Sequence, residues 1–182
     1  MSWLEALAAL CGLLNIALLA RRSVWNYPFG MAMVAIYAGI FISARLYAVA
    51  GLQLFFFLAQ VIGLWAWWRA PAVAGEVAVR AMPARWWPAV MAGGVAGSAG
   101  LALLLRQTDA AAPWADGTVA AFSLVAQLLT NGRYVESWPL WVGVNLLSVA
   151  LYASQMLWLT AGLYVVFLGI ALWTWRLWAR AA

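Results

Sequence analysis

The chain has 182 residues, 68% of them hydrophobic and 8% charged, against about 25% charged in soluble globular domains, so it reads as an integral membrane protein. Its net charge of +5 comes from ten Arg and no Lys set against five acids; the Arg lie between apolar runs, which marks topology and not a nucleic-acid surface. With no His and one Cys, the chain offers no thiol pair, no imidazole for metal or haem and no nucleophile–imidazole pair, and neither a cofactor nor a metal site is expected.

A helix crosses a hydrocarbon core about 30 Å thick with about 20 mainly apolar residues, and seven stretches qualify. The first, 3–20, lacks a basic leader, carries Glu5 and runs directly into Arg21 and Arg22; it reads as a retained transmembrane helix and not a cleaved signal peptide. Asn15 is its lone mid-helix amide. The second, 26–44, has Pro28 in its first turn, where proline is tolerated. In the third, 49–68, Gln53, Phe56, Gln60 and Trp67 share a face. Gln60 lies at mid-membrane depth and is a candidate substrate contact; Gln53 lies near the outer mouth.

A linker from Arg69 to Arg85 follows, with two Pro, one Gly and four charges. The fourth stretch, 86–105, places Gly93, Gly94, Gly97 and Gly100 at spacings of three and four, suited to close helix packing within or between protomers. The fifth, 113–131, reaches full length if Pro113 and Trp114 start it, and Ser123, Gln127, Thr130 and Asn131 form its polar face. Gln127 is deep enough to reach a central site. Arg133 and Glu136 precede the sixth stretch, as a surface pair at a helix start or as a gate at the inner mouth.

The sixth stretch, 137–154, holds Trp138, Trp141 and Asn145, which at 100° per residue fall within about 60° of one another, with Ser148 and Tyr152 continuing the stripe. An amide in hydrocarbon must face protein, water or ligand. Asn145 therefore marks either an interhelical hydrogen bond or a binding site, and the two indoles beside it favour the site. Trp138, at the helix end, also fits an interfacial belt. The seventh stretch is 157–176. Trp65, Trp67 and Trp68, Trp86 and Trp87, and Trp173, Trp175 and Trp178 sit at span ends beside Arg and are expected as interfacial anchors.

Seven spans put Arg21, Arg22, Arg69, Arg80, Arg85, Arg133, Arg176 and Arg180 on one side and only Arg45 and Arg106 on the other. The positive-inside rule then gives N-terminus outside and C-terminus cytoplasmic. Sliding the chain against itself by 111 residues pairs Arg22 with Arg133, Pro28 with Pro139, Gly51 with Gly162, Trp67 with Trp178 and Arg69 with Arg180, and 11 of the 48 pairs from 22 to 69 are identical. The expected fold is an all-α membrane protein of two parallel three-helix repeats joined by a linking helix, with 1–68 as first repeat, 69–112 as linker, linking helix and outer loop, and 113–182 as second repeat. Parallel repeats about an axis along the membrane normal are a transporter architecture.

The Trp-x-x-Trp-x-x-x-Asn pattern at Trp138, Trp141 and Asn145, the 3+1+3 arrangement and the chain length resemble the Pnu family of bacterial vitamin transporters. Gln53-Leu-Phe-Phe-Phe-Leu-Ala-Gln60 with Gly63 and Trp65, and the segment from Arg106 to Trp114, support the resemblance, which covers nearly the whole chain. It implies a multi-pass protein of the bacterial inner membrane and a homotrimer in which each protomer has its own route. It also implies facilitated diffusion without an ATPase subunit, with net uptake maintained by phosphorylation of the vitamin after entry.

Two Trp faces suit a flat, cationic heteroaromatic ring, since desolvated cation–π contacts contribute about 2 kcal/mol, and amides read carboxamide or ribose hydroxyls as both donor and acceptor. The expected substrate contacts are Trp138, Trp141, Asn145, Gln60, Gln127, Asn15, Tyr152 and Phe56, with nicotinamide riboside as first cargo and thiamine, riboflavin or a deoxynucleoside as alternatives. The absence of charge from the middle of every span points to uniport. A non-transporting interaction module is the rival reading. An enzyme ranks last, because the spans hold no base or metal ligand.

Overall fold

The computed structural model describes residues 3–43, 47–73, 76–107, 112–156 and 158–182. Among the described residues there are seven α-helices: α1 (Trp3–Ala20), α2 (Asn26–Ser43), α3 (Tyr47–Trp68), α4 (Trp87–Leu105), α5 (Pro113–Asn131), α6 (Ser137–Ser154) and α7 (Trp158–Ala179). Their lengths, 18 to 22 residues, correspond at 1.5 Å per residue to about 27–33 Å, the thickness of a hydrocarbon core. Leu10, Leu13, Leu54, Leu58, Leu103, Leu104, Val165 and Val166 are among many large apolar side chains left exposed, a surface suited to lipid and far too apolar for water.

The chain forms two units, Met1–Val79 with Asn131–Arg133, and Arg80–Thr130 with Tyr134–Ala182. In the first, α2 packs on both α1 and α3. Its core is tied by Asn131, whose Nδ2 donates to the Ala59 carbonyl at 2.7 Å, whose backbone carbonyl accepts from Trp67 Nε1 at 3.1 Å, and whose Oδ1 accepts from the Tyr27 hydroxyl at 3.3 Å. Gly63 makes this possible: a Cβ there would collide with the Tyr27 ring and come within 2.5 Å of Asn131 Oδ1.

In the second unit α6 packs on α7, and α4 meets α5 through small residues. A Cβ on Gly117 would lie 2.7 Å from the Ala102 backbone nitrogen, and one on Gly94 would lie 2.6 Å from Phe122. Of the four glycines that mark α4 in sequence, Gly94 and Gly97 serve this contact, while a Cβ on Gly93 or Gly100 would meet no neighbour within 4 Å.

The 111-residue offset recurs in local structure. The bounds of α2 and α6, and those of α3 and α7, differ by 111 at both ends. Both α1 and α5 close in a left-handed Arg, Arg22 at φ 54° and Arg133 at φ 64°. The residue after each donates its N–H back into the last helical turn, Ser23 to Leu18 at 2.9 Å and Tyr134 to Leu129 at 3.0 Å, the pattern of a Schellman cap. Tyr27 and Trp67 make a T-shaped pair at 5.3 Å and 82°, and their equivalents Trp138 and Trp178 do so at 5.3 Å and 80°. Trp67 and Trp178 are thus core residues, not the interfacial anchors expected of them; Trp65, Trp68, Trp86, Trp173 and Trp175 remain exposed.

The linker after α3 is more ordered than its Pro-rich sequence suggests. It holds a minimal antiparallel ladder, β1 (Ala72–Val73) and β2 (Glu76–Val77). In the first unit, Val77 donates its N–H to the Arg22 carbonyl at 2.9 Å, Arg22 pairs with Glu76, and Arg133 Nη1 donates to the Ala78 carbonyl at 3.2 Å. In the second, Val135 donates to the Arg80 carbonyl at 3.1 Å, and Glu136 Oε2 accepts from the Met82 N–H at 2.9 Å. Arg133 and Glu136, expected as a surface pair or gate, each hold linker backbone.

The turn after α6 carries a third left-handed residue, Met156 at φ 60°, which is 71% exposed. A side chain in this conformation costs roughly 1–2 kcal/mol, and glycine does not incur it. Met156→Gly is expected to raise stability by about 1 kcal/mol, visible as a higher midpoint of thermal unfolding in detergent.

Candidate functional site

The α6 stripe divides in the structure into residues that are fixed and residues that lack a partner. Trp138 is 2% exposed, with its ring edge-to-face against Trp178; burial of that degree removes the interfacial-belt account. Its indole N–H meets no acceptor. Trp141, one turn on, is half-buried, and its Nε1 donates to Thr130 Oγ1 of α5 at 3.2 Å, while Thr130 donates in turn to the Ala126 carbonyl at 2.8 Å. The Trp141 ring is therefore held by a hydrogen bond to a neighbouring helix.

Asn145 is 6% exposed. Ser148 is fully buried with its hydroxyl unpartnered. A buried polar group without a partner costs roughly 1–3 kcal/mol, and two on one helix face, the Trp138 N–H and the Ser148 hydroxyl, leave that face chemically incomplete. Tyr152, at the far end of the stripe, stacks at a tilt on Tyr164 with centroids 5.1 Å apart. Gln127 is half-buried on α5.

The first unit behaves differently. Asn15 Nδ2 donates to the Asn26 carbonyl at 2.8 Å, so Asn15 serves helix packing between α1 and the start of α2. Gln60 is 7% exposed and its Oε1 has no partner. The two amides converge over Gly30 of α2: a Cβ there would lie 2.5 Å from Gln60 Nε2 and 2.7 Å from Asn15 Nδ2. Phe56 is half-buried, with its ring edge-on to Phe55 at 6.1 Å.

The structure thus brings Asn15 to Gln60 within the first unit, and ties Trp141 to α5 and Tyr152 to α7 within the second. Sequence reasoning left out three supporting residues: Thr130 as the clamp of Trp141, Trp178 as the wall behind Trp138, and Tyr164 beside Tyr152. For Trp178 the signal was present, because the offset pairs Tyr27–Trp67 with Trp138–Trp178. For Thr130 and Tyr164 no sequence spacing carries the information, since each contact joins two helices.

A family model described as "Nicotinamide mononucleotide transporter" matches residues 2–180. The chain is similar to the nicotinamide riboside transporter PnuC of Escherichia coli (strain K12), at 31% identity over 208 residues, covering 100% of this chain and 87% of that protein. It is also similar to the nicotinamide riboside transporter PnuC of Neisseria mucosa, at 34% identity over 159 residues, 84% of this chain and 60% of the relative. The crystal structure of the vitamin B3 transporter PnuC superimposes with a TM-score of 0.79 at 30% identity, covering 99% of this chain and 82% of that one. The chain belongs to the nicotinamide mononucleotide transporter family, whose members are membrane transporters and not enzymes.

Proposed function

We propose that this protein is a uniporter of the bacterial inner membrane that carries nicotinamide riboside by facilitated diffusion. The observation that carries this reading is the α6 stripe, where the Ser148 hydroxyl and the Trp138 indole N–H are buried without partners beside Trp141, whose ring is held from α5, and where Asn145 is 6% exposed. A pyridinium ring has the shape and charge for an indole face, with about 2 kcal/mol available from a desolvated cation–π contact. A carboxamide and ribose hydroxyls supply the donors and acceptors that the unpartnered groups lack.

Trp138 and Trp141 are the stacking residues; Asn145, Gln60 and Gln127 are the hydrogen-bonding residues. Asn15, Tyr152 and Phe56 act as supporting contacts. Residues 1–68 form the first three-helix repeat, 69–112 the linker, linking helix and outer loop, and 113–182 the second repeat; the shared 111-residue offset supports this division. The N-terminus lies outside and the C-terminus in the cytoplasm, in accord with the Arg bias. The working form is a homotrimer with one route per protomer and lipid around it. Uniport is supported by charge placement: among the described residues Asp116 lies in the first turn of α5 and Arg176 in the last turn of α7, and no charged side chain lies at mid-helix. Ion-coupled carriers keep such groups despite their cost.

Isothermal titration of the purified protein tests the cargo. Nicotinamide riboside is expected to bind more tightly than thiamine, riboflavin or a deoxynucleoside, and tight thiamine binding with none for nicotinamide riboside overturns the assignment. Trp141→Ala and Asn145→Ala are each expected to weaken binding by about 10- to 100-fold, the size of a lost buried hydrogen bond or stacking contact; undiminished liposome uptake by Trp141→Ala removes the stripe as the site.

Coupling is tested in liposomes with the membrane potential clamped at zero. Uptake is expected to level off at equal concentrations inside and out and to be indifferent to an imposed proton or sodium gradient. Accumulation driven by either gradient contradicts uniport.

A further inference from the structure

We infer that Gly30 is a positioning residue for substrate recognition: the missing side chain lets the Gln60 amide lie across the backbone of α2 and present its unpartnered oxygen to the substrate. The inference rests on Gln60 contacting the substrate, as proposed above. Gly30 is buried, and a Cβ on it would come 2.5 Å from Gln60 Nε2, 2.8 Å from Gln60 Cδ and 2.7 Å from Asn15 Nδ2. Contacts this short require a neighbour to move.

Asn15 is the neighbour that cannot. Its Nδ2 is bound to the Asn26 carbonyl at 2.8 Å, and Asn26 is itself buried with its Nδ2 donating to the Ser23 carbonyl at 2.7 Å. Gln60 has the longer side chain and an oxygen with no partner, so it yields first. A methyl group at position 30 therefore leaves the fold in place and displaces the Gln60 oxygen, which is buried and open to a ligand's N–H or O–H. The repeat sharpens the point. At the position 111 residues on stands Trp141, so the same place on the helix carries an indole in the second repeat and bare backbone roofed by two amides in the first.

The test compares Gly30→Ala, Gln60→Ala and the double variant by titration with nicotinamide riboside, with Gly39→Ala as control because nothing lies within 4 Å of its Cβ position. Each single variant is expected to bind about tenfold more weakly, the double variant no more weakly than Gln60→Ala, and the control like the parent. In liposomes, Gly30→Ala is expected to raise KM with the maximal rate retained; a purely structural defect lowers the maximal rate instead. Parent-like binding by Gly30→Ala alongside weak binding by Gln60→Ala overturns the inference and leaves Gln60 as a contact, and so do losses that multiply in the double variant. Parent-like binding by Gln60→Ala overturns the Gln60 contact itself. Should Gly30→Ala fail to fold, Gln60→Asn decides: one methylene shorter, its amide no longer spans Gly30 and is expected to bind as weakly as Gln60→Ala, whereas parent-like binding overturns the inference.

Discussion

An amide or hydroxyl sunk in hydrocarbon without a hydrogen-bond partner costs several kcal/mol, and this cost sorts the polar residues of α1–α7. Most of them answer it locally. Ser98, Thr118, Ser123, Thr130 and Thr174 each donate to the carbonyl four residues back on their own helix. Asn131 and Asn15 answer it between helices, and in doing so build the core of the first unit. The Ser148 hydroxyl and the Gln60 oxygen do neither.

The repeats differ at the positions where this matters. Their frames agree closely: equivalent helix bounds, equivalent left-handed Arg at the first turn, and a T-shaped aromatic pair with centroids 5.3 Å apart in each. At three of the stripe positions the first repeat has Gly30, Val34 and Tyr37 where the second has Trp141, Asn145 and Ser148. The frame is thus duplicated and the chemistry is not. The second repeat supplies a clamped aromatic face with unpaired polar groups on one helix. The first supplies amides from α1 and α3 over a bare stretch of α2.

The helices were legible because apolar length and flanking Arg are read directly from composition, and the sequence expectation for each span falls within a few residues of the observed bounds. The stripe was legible because it lies on one helix, where 3.6 residues per turn fixes which side chains share a face. Contacts that join helices were not. Nothing in the spacing assigns Thr130 to Trp141, or sets Asn15 against Gln60 at Gly30. Trp67 and Trp178 were misread because they neighbour exposed Trp65, Trp68, Trp173 and Trp175 at span ends, and position along a helix does not tell its lipid side from its core side. The β1–β2 ladder, two residues per strand, is too short to carry a period of two.

Arg22 and Arg133 show why a residue unsuited to its backbone conformation is kept. Glycine would relieve roughly 1–2 kcal/mol of left-handed strain at each, yet two functions need a guanidinium there. Each Arg follows the C-terminus of a helix, where a cation complements the dipole by about 0.3–1 kcal/mol. Each also grips the linker, Arg22 through Glu76 and Arg133 through the Ala78 carbonyl. Together these terms offset the strain. Met156 has the same backbone conformation with none of these functions, which is why the strain at that turn is open to relief by glycine and the strain at the two Arg turns is not.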